Sequence, residues 1–87
     1  MQMGKVVGNL VSTQKDESLV GKKLMIVSII NSDGSGTGRE EVAVDTVGAG
    51  IGEYVLLTRG ASARKIFSSS AEAVDNSIIG IIDSFEK

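Results

Sequence analysis

The sequence contains no cysteine, no histidine and no proline among its 87 residues. Without cysteine, the chain can form neither disulfides nor a thiolate metal site. Without histidine, it lacks the side chain that most often serves as a general base and as a metal ligand. Without proline, its turns must be built from glycine, asparagine, aspartate and serine, and glycine is abundant, with 11 residues. These absences exclude several common kinds of enzyme and metal site.

Aromatic residues and long apolar runs are also scarce. The only aromatics are Tyr54, Phe67 and Phe85, so the core must be built from valine, isoleucine and leucine. No window approaches the ~20 apolar residues of a membrane-spanning helix, and no signal peptide is recognisable at the start. The net charge of −2 offers nucleic acid no bulk electrostatic attraction. We therefore expect one cytosolic domain over residues 1–87, with no membrane or nucleic acid as a partner.

Five short segments have the β-branched composition or the alternation that is typical of strands, and turn-forming residues separate them. We predict strands over Gly4–Thr13, Lys23–Ile30, Glu41–Thr46, Glu53–Thr58 and Asn76–Ser84. A loop over Asn31–Gly38 and a short helix over Ala61–Phe67, with Ser62 as a possible N-cap, complete the assignment.

Five strands in so short a chain must curl to cover their own apolar face. The predicted fold is therefore mainly β: a small, partly closed, five-stranded OB-like β-barrel with one short helix. Gly8 and Gly80 interrupt the first and last strands, where they suit bulges or sharp bends. In the third strand, Val42 and Val44 share one face and Ala43 lies on the other. Because the core of so small a domain is marginal, we expect stabilisation by oligomerisation.

The stretch Asp45–Arg64, which reads DTVGAGIGEYVLLTRGASAR, raises the question of nucleotide binding. Gly48, Gly50 and Gly52 form G-x-G-x-G, whereas the dinucleotide fingerprint is G-x-G-x-x-G opening a helix. Here a strand follows, and no lysine completes a P-loop. We interpret the stretch as a tight connection between two strands whose backbones pack closely.

Two other patterns imitate functional sites. Asp33–Gly38 (DGSGTG) resembles the start of a calcium loop, but Val44 occupies the position of the bidentate glutamate, so we interpret the stretch as a hairpin loop. Four carboxylates near strand ends are candidates for acid–base catalysis: Asp45, Glu53, Asp75 and Asp83. No pocket or partner is indicated for them, and we expect solvated or turn-capping roles. No cofactor or metal is predicted.

A group of basic residues, Arg59, Arg64 and Lys65, forms either a solvated edge or a contact between subunits. OB-type barrels often bind single strands of nucleic acid through a basic groove and exposed aromatics. The acidic pI of about 5.0 and the few aromatics disfavour that use here. From the residues alone, two alternatives to a structural role stay open: a module that binds oligonucleotide or oligosaccharide, and a small enzyme with carboxylate chemistry.

Three segments together resemble the small vertex proteins of bacterial microcompartment shells, the EutN/CcmL family. They are Val6–Val27, Val42–Arg64 and Val74–Phe85. Val42–Arg64 is the most specific, because it combines a glycine loop, a strand and Gly-x-x-Ala-Arg in that order. The resemblance implies a cyclic homopentamer of OB-like barrels that caps the fivefold corners of a cytoplasmic shell. Hexameric shell proteins would be its partners, and neither catalysis nor a cofactor is expected.

The resemblance also carries expectations for particular residues. The family's glycine loop corresponds to Gly48, Ala49 and Gly50, its Ser–Ala–Arg element to Ser62, Ala63 and Arg64, and the loop after its first strand to Ser12, Thr13, Gln14 and Lys15. We hypothesise that the glycine loop and the Ser12–Lys15 loop lie near the ring interface or the central opening. A second hypothesis is that Arg64 bonds across or beside the subunit interface.

Overall fold

The computed structural model describes residues 1–11, 17, 21–60 and 75–84. Its strands are β1 (Gln2–Leu10), β2 (Leu24–Ile30), β3 (Gly36–Asp45), β4 (Tyr54–Arg59) and β5 (Asn76–Ile81). They close into a barrel in the order β1-β2-β3-β5-β4. The mainly β, five-stranded barrel is thus confirmed, and it is closed rather than partly closed. The predicted helix over residues 61–67 lies outside the described residues. In the described part of the chain, no helix is long and apolar enough to cross a membrane.

The barrel closes along a short seam between β3 and β5. These two strands run parallel and meet at only two residue pairs, Val44 with Ser77 and Asp45 with Ile78. All other neighbouring strands pair antiparallel. Thr46 reinforces the seam, because its hydroxyl donates to the Ile78 carbonyl oxygen at 2.6 Å and its amide to the same oxygen at 3.3 Å. The seam therefore depends partly on the loop that follows β3.

The core is aliphatic and consists of side chains that alternate inward along the strands. On β2, for example, Met25, Val27 and Ile29 point into the barrel. The buried cluster is Val6, Met25, Val27, Ile29, Ala43, Ala49, Val55, Leu57 and Ile78. No aromatic side chain takes part among the described residues, as the composition predicts.

Gly4 lies on β1 where core side chains leave no room for another atom. A Cβ built there would overlap Cγ1 of Val27 and would lie 3.2 Å from Cδ1 of Leu57 and 3.0 Å from the Ser28 carbonyl oxygen. The backbone of β1 therefore packs directly against the side chains of Val27 and Leu57. Sequence reasoning missed this role, since one glycine in a strand does not reveal what faces it.

Both glycines that were predicted to sit at strand irregularities do so. In β1, Val6 pairs with Val27 and Gly8 with Ile26, so Val7 is an extra residue in the strand. In β5, Gly80 pairs with Leu56 of β4 while Ile78 pairs with the next residue along, which leaves one extra residue beside Gly80. Such bulges increase local bending and twist, which a small closed barrel requires.

The predicted strand boundaries differ most at β3. The strand begins at Gly36, so the predicted loop over Asn31–Gly38 is too long by three residues. Gly36 pairs with Ile30, and the Thr37 hydroxyl donates to the Ile29 carbonyl oxygen at 2.8 Å. The polar composition of this stretch reflects its exposure and not an absence of pairing. β1 and β5 also differ from prediction, since β1 covers Gln2–Leu10 and β5 ends at Ile81.

The two faces of β3 alternate as predicted, but the two valines differ in burial, since Val44 is 4% exposed and Val42 lies largely at the surface. Ala43 lies in the buried cluster, whereas Val42 is 45% exposed on the outside of the barrel. Ala43 faces inward because it pairs with the buried Met25 of β2, and directly paired residues lie on the same face of a sheet. The larger aliphatic side chain is left on the outer surface.

Replacing Gly4 with alanine tests the packing of the core. We expect Gly4→Ala to lower the free energy of unfolding by about 1–3 kcal/mol, because the added methyl group overpacks the space between Val27 and Leu57. Urea unfolding followed by circular dichroism measures the change. Gly36→Ala is the control, since a Cβ at Gly36 would meet no atom within 4 Å. Equal midpoints for the two variants would contradict this description of the core.

Candidate assembly surface

The glycine loop, residues 46–53, connects β3 to β4 across one end of the barrel. Gly48 and Gly52 adopt positive φ angles of 78° and 93°, which favour glycine. Between them, Ala49 is fully buried in the core cluster. β4 follows directly, beginning at Tyr54. The interpretation as a tight strand-to-strand connection is therefore confirmed, and the alanine closes one end of the core.

Lys23, just before β2, anchors the first half of the glycine loop. Its ammonium donates to the Ala49 carbonyl oxygen at 2.9 Å and lies 3.4 Å from Oδ2 of Asp45. The Asp45 side chain is almost completely buried, and its Oδ1 accepts the amide of Val47 at 3.0 Å. The lysine thus neutralises a buried carboxylate and holds the loop backbone at the same time.

Glu53 and β1 anchor the second half of the loop. Oε1 of Glu53 accepts the Gly50 amide at 2.6 Å. The Gly52 amide donates to the Val6 carbonyl oxygen at 2.8 Å, and the Val6 amide donates to the Glu53 carbonyl oxygen at 2.9 Å. The loop therefore extends the β1–β4 ladder up to the bulge at Val7. Its charged neighbours, Asp45 included, are turned toward the loop backbone.

The exposed side chains of the loop are mainly aliphatic, because the neighbouring charged groups bond to the loop backbone. Val47 is 40% exposed and Ile51 is 61% exposed. We call Val47 and Ile51 the end patch, because the loop that carries them crosses the end of the barrel.

A second apolar surface lies on the wall of the barrel, where β1, β2 and β3 are neighbours. The register places Gly8, Ile26 and Val42 side by side, with the bulged Val7 next to them. Val7 and Val42 are both exposed, as are Leu10 and Val11 farther along β1. We call Val7, Leu10, Val11, Ile26 and Val42 the flank patch. Because these exposed aliphatic groups are neighbours, the surface is a candidate for interaction with another molecule.

A polar network occupies strand positions away from the glycine loop. Oε1 of Glu41 accepts a bond from the Asn76 side-chain amide at 2.9 Å, and Oε2 lies 3.2 Å from the Arg39 guanidinium and 3.7 Å from that of Arg59. Asn76 is buried, so this carboxylate ties β3 to β5 where the two strands no longer pair. Arg59, a candidate for a contact between subunits, therefore contacts a carboxylate of its own chain.

The hairpin that joins β2 and β3 contains the sequence that imitates a calcium loop. Oδ1 of Asp33 accepts bonds from the Ser35 amide at 2.9 Å and the Ser35 hydroxyl at 2.6 Å. The bond from the hydroxyl, followed by that from the amide, holds the pKa of Asp33 below its ordinary value. The carboxylate thus stabilises the turn, as the hairpin interpretation implies. Within the described ranges, no three acidic residues lie close enough to hold a metal ion.

Of the predicted site residues, the structure describes only the glycine loop. Gly48, Ala49 and Gly50 lie at the barrel end, with the Ala49 side chain directed into the core and not toward a partner. Ser12, Thr13, Gln14, Lys15, Ser62 and Arg64 lie outside the described residues. Among the candidate carboxylates, Asp45 and Glu53 secure the loop, whereas Asp75 and Asp83 are exposed.

Sequence reasoning did not single out Lys23 or the flank patch. The contact of Lys23 with Ala49 joins residues that are 26 positions apart, and nothing in the local pattern marks it. One part of the flank patch was visible in the sequence, because Val42 and Val44 share a face of β3. Whether that face points outward could be decided only from the structure.

Removing the Lys23 ammonium tests whether it anchors the loop. We expect Lys23→Met to lower the free energy of unfolding by about 1–3 kcal/mol, because the buried Asp45 and the Ala49 carbonyl oxygen both lose a donor. Urea unfolding measures the loss. Lys5→Met is the matched control: its ammonium lies over the Tyr54 ring at 5.6 Å on the surface, an interaction that contributes about 0.5–1 kcal/mol. A smaller loss for Lys23→Met than for the control would contradict the anchoring role.

Comparison of the whole chain with known proteins identifies its family. The family model described as "Ethanolamine utilisation protein EutN/carboxysome" matches residues 1–83. The microcompartment shell vertex protein PduN of Salmonella typhimurium is 52% identical, over 95% of this chain and 96% of its own length. The carboxysome shell vertex protein CcmL of Gloeobacter violaceus is 46% identical, over 95% and 83%.

A solved structure agrees with these sequence matches. The pentameric microcompartment shell protein GrpN of Rhodospirillum rubrum superposes with a TM-score of 0.91 and 44% identity, over 100% of this chain and 99% of that one. The match extends along nearly the whole chain, and the proteins concerned are named for a structural role in a shell. The chain therefore belongs to the EutN/CcmL family, whose members named above are shell proteins of bacterial microcompartments.

Proposed function

We propose that five copies of this chain form a ring that caps the fivefold vertices of a bacterial microcompartment shell in the cytoplasm. The observation that carries this proposal is the match of nearly the entire chain to shell vertex proteins and to a pentameric shell protein. The protein acts by its shape, and no catalysis or cofactor is part of the function.

The physical features of the barrel support an obligate assembly. A domain of this size buries a smaller share of its surface than a larger one, so its stability as a monomer is marginal. The end patch and the flank patch expose aliphatic side chains that a second copy would cover. A ring requires heterologous contacts, in which one surface meets a different surface on the next copy, and the barrel has two such surfaces.

We assign the residues predicted from the family resemblance to the contacts within this ring. The glycine loop at Gly48, Ala49 and Gly50 and the loop at Ser12–Lys15 lie near the ring interface or the central opening. The rigid attachment of the glycine loop to Lys23 and Glu53 supports this, because a contact surface that is already ordered costs less entropy to bind. Ser62 and Arg64 are assigned to the same interface.

The proposed partners are hexameric shell proteins. Sixfold units alone tile a flat layer, and a layer of this kind closes into a polyhedron only when fivefold units occupy its corners. The sides of the ring would therefore contact hexamers, and its top and bottom would face the outside and the lumen.

A binding module for oligonucleotide or oligosaccharide is not favoured. Stacking on bases or sugars requires exposed aromatic rings. Tyr54 is the one aromatic residue in the described part of the chain, and the Lys5 ammonium lies over its ring. The exposed surface that the barrel does offer is aliphatic.

Co-expression with a hexameric shell protein tests the vertex function. Negative-stain electron microscopy should find closed polyhedra when both proteins are present, and open sheets or tubes when this chain is omitted. The Val42→Asp variant charges the flank patch without touching the core, and we expect it to leave the layers open because a charge there disfavours contact between copies. Identical open layers with and without the chain would contradict the proposal.

The contribution of Arg64 to the ring has its own test. We expect Arg64→Ala to weaken the pentamer and lower its melting temperature, because an interface ion pair or hydrogen bond would be lost. Native mass spectrometry and differential scanning fluorimetry measure the two effects. Arg39→Ala is a comparison, since the Arg39 guanidinium lies on Glu41 of its own chain. An unchanged assembly state and melting temperature for Arg64→Ala would exclude the assigned contact.

A further inference from the structure

The hairpin that joins β2 and β3 contains the only Asp-Gly pair of the chain, Asp33 and Gly34. Asp33 is exposed, and Gly34 adopts a positive φ of 88°. A Cβ built at Gly34 would meet no atom within 4 Å beyond its chain neighbours, so nothing crowds this peptide bond. An aspartate that precedes glycine is prone to rearrange, because no side chain hinders the approach of the next amide nitrogen to the carboxyl carbon.

The rearrangement converts aspartate into isoaspartate in two balanced steps. The Gly34 nitrogen bonds to Cγ of Asp33, and the carboxyl hydroxyl leaves with the amide proton as water, which gives a cyclic succinimide. Water then adds to one of the two ring carbonyl carbons. Addition at Cγ restores aspartate, whereas addition at the main-chain carbonyl carbon gives isoaspartate, in which the backbone runs through Cγ. Neither an oxidant nor an enzyme is required.

The hairpin holds the Asp33 carboxylate in its less reactive form, because the neutral acid loses water in the first step far more readily than the anion. Oδ1 of Asp33 accepts the Ser35 hydroxyl at 2.6 Å and the Ser35 amide at 2.9 Å. These bonds, that of the hydroxyl first, hold the pKa of Asp33 below its ordinary value, so a smaller fraction of the side chain is neutral at a given pH. The Asn31 side-chain amide donates to the Ser35 hydroxyl oxygen at 3.1 Å and so orients that hydroxyl.

The hairpin also holds the nucleophile. The Gly34 amide donates to the Asn31 carbonyl oxygen at 2.9 Å, so the proton that must leave in the first step is engaged in a bond. The Asn31 amide donates in turn to the Ser35 carbonyl oxygen at 2.8 Å, which closes the hairpin around the Asp-Gly pair. Both reacting groups are therefore bound to other protein atoms in the folded chain, whereas an unfolded chain exposes both to water.

We propose that Ser35 protects the Asp33–Gly34 peptide bond from isomerisation, and that this bond is a site of covalent change once the protection is lost. Isoaspartate adds one methylene group to the backbone. The added group would displace the turn and with it the pairing of Gly36 with Ile30 at the start of β3. The inference goes beyond the proposed function and does not depend on it, because it concerns one hairpin of the folded chain.

Ageing of the purified protein at physiological temperature, followed by peptide mapping, tests the inference. Trypsin cuts after Lys23 and Arg39 and releases residues 24–39, which contain a single aspartate. The isoaspartate form of this peptide has the same mass and separates chromatographically, whereas deamidation of Asn31 would raise the mass. We expect Ser35→Ala to isomerise faster than the wild-type protein by a factor of roughly three to ten, the usual net effect of one hydrogen bond.

Control variants separate the loss of the Ser35 hydroxyl from other changes in the hairpin. Ser35→Thr keeps the hydroxyl and should isomerise at the wild-type rate. Ser32→Ala is the matched control, because it removes a neighbouring exposed hydroxyl while the bonds to Asp33 come from Ser35. Circular dichroism verifies that each variant is folded. If Ser35→Ala does not fold, Asn31→Ala takes its place and should also raise the rate, because it removes the donor that orients the Ser35 hydroxyl.

Two further measurements expose the inference to failure. The wild-type chain unfolded in urea should isomerise faster than the native protein, and the native rate should fall as the buffer is changed from weakly acidic to neutral, because the neutral acid reacts. Equal rates for folded Ser35→Ala and the wild-type protein would overturn the protective role. A native rate as high as that of the unfolded chain would overturn it as well, whatever the assembly state of the protein.

Discussion

The bond between the Lys23 ammonium and the Ala49 carbonyl oxygen fixes the end of the barrel that the proposed ring would use. It holds a loop across the barrel end with a methyl group inserted into the core. The same ammonium compensates the buried Asp45 carboxylate at the end of β3, next to the short seam with β5. One surface lysine thus connects the closure of the barrel, the shape of its end and the position of the loop that we assign to the ring.

The composition of the core explains why the barrel needs neighbours. Its buried cluster contains valine, leucine, isoleucine, methionine and alanine, and no aromatic ring among the described residues adds a large buried area. Several aliphatic side chains that a larger protein would cover remain on the surface, Val42 and Ile51 among them. In a monomer these groups gain only part of the stabilisation that full burial would give. In a ring they would be buried, so folding and assembly would be coupled.

Much of the fold could be predicted because its signals are local. Five strands, the bulges beside Gly8 and Gly80, and the tight glycine connection all follow from composition and spacing over short stretches. The start of β3 was missed because exposed polar residues such as Thr37 can pair in a ladder without an apolar pattern. The inward face of β3 was equally hidden, because it is set by the pairing of Ala43 with Met25 and not by the apolar pattern of β3 alone.

The candidate site was less predictable than the fold. The glycine loop was located from its sequence, but its anchors Lys23 and Glu53 are recognised only from the distances that the folded chain creates. The flank patch combines residues from three strands, and the valine face of β3 indicates only one part of it. Surfaces of this kind depend on register, and register is set by the whole barrel and not by a local motif.

Native mass spectrometry of the purified chain across a dilution series tests whether the chain forms a stable ring. We expect a pentamer with five times the 9.0 kDa mass of the chain, which persists as the concentration falls. Monomers at every concentration would contradict it, because the apolar patches at the end and on the flank of the barrel would then have no partner in a ring.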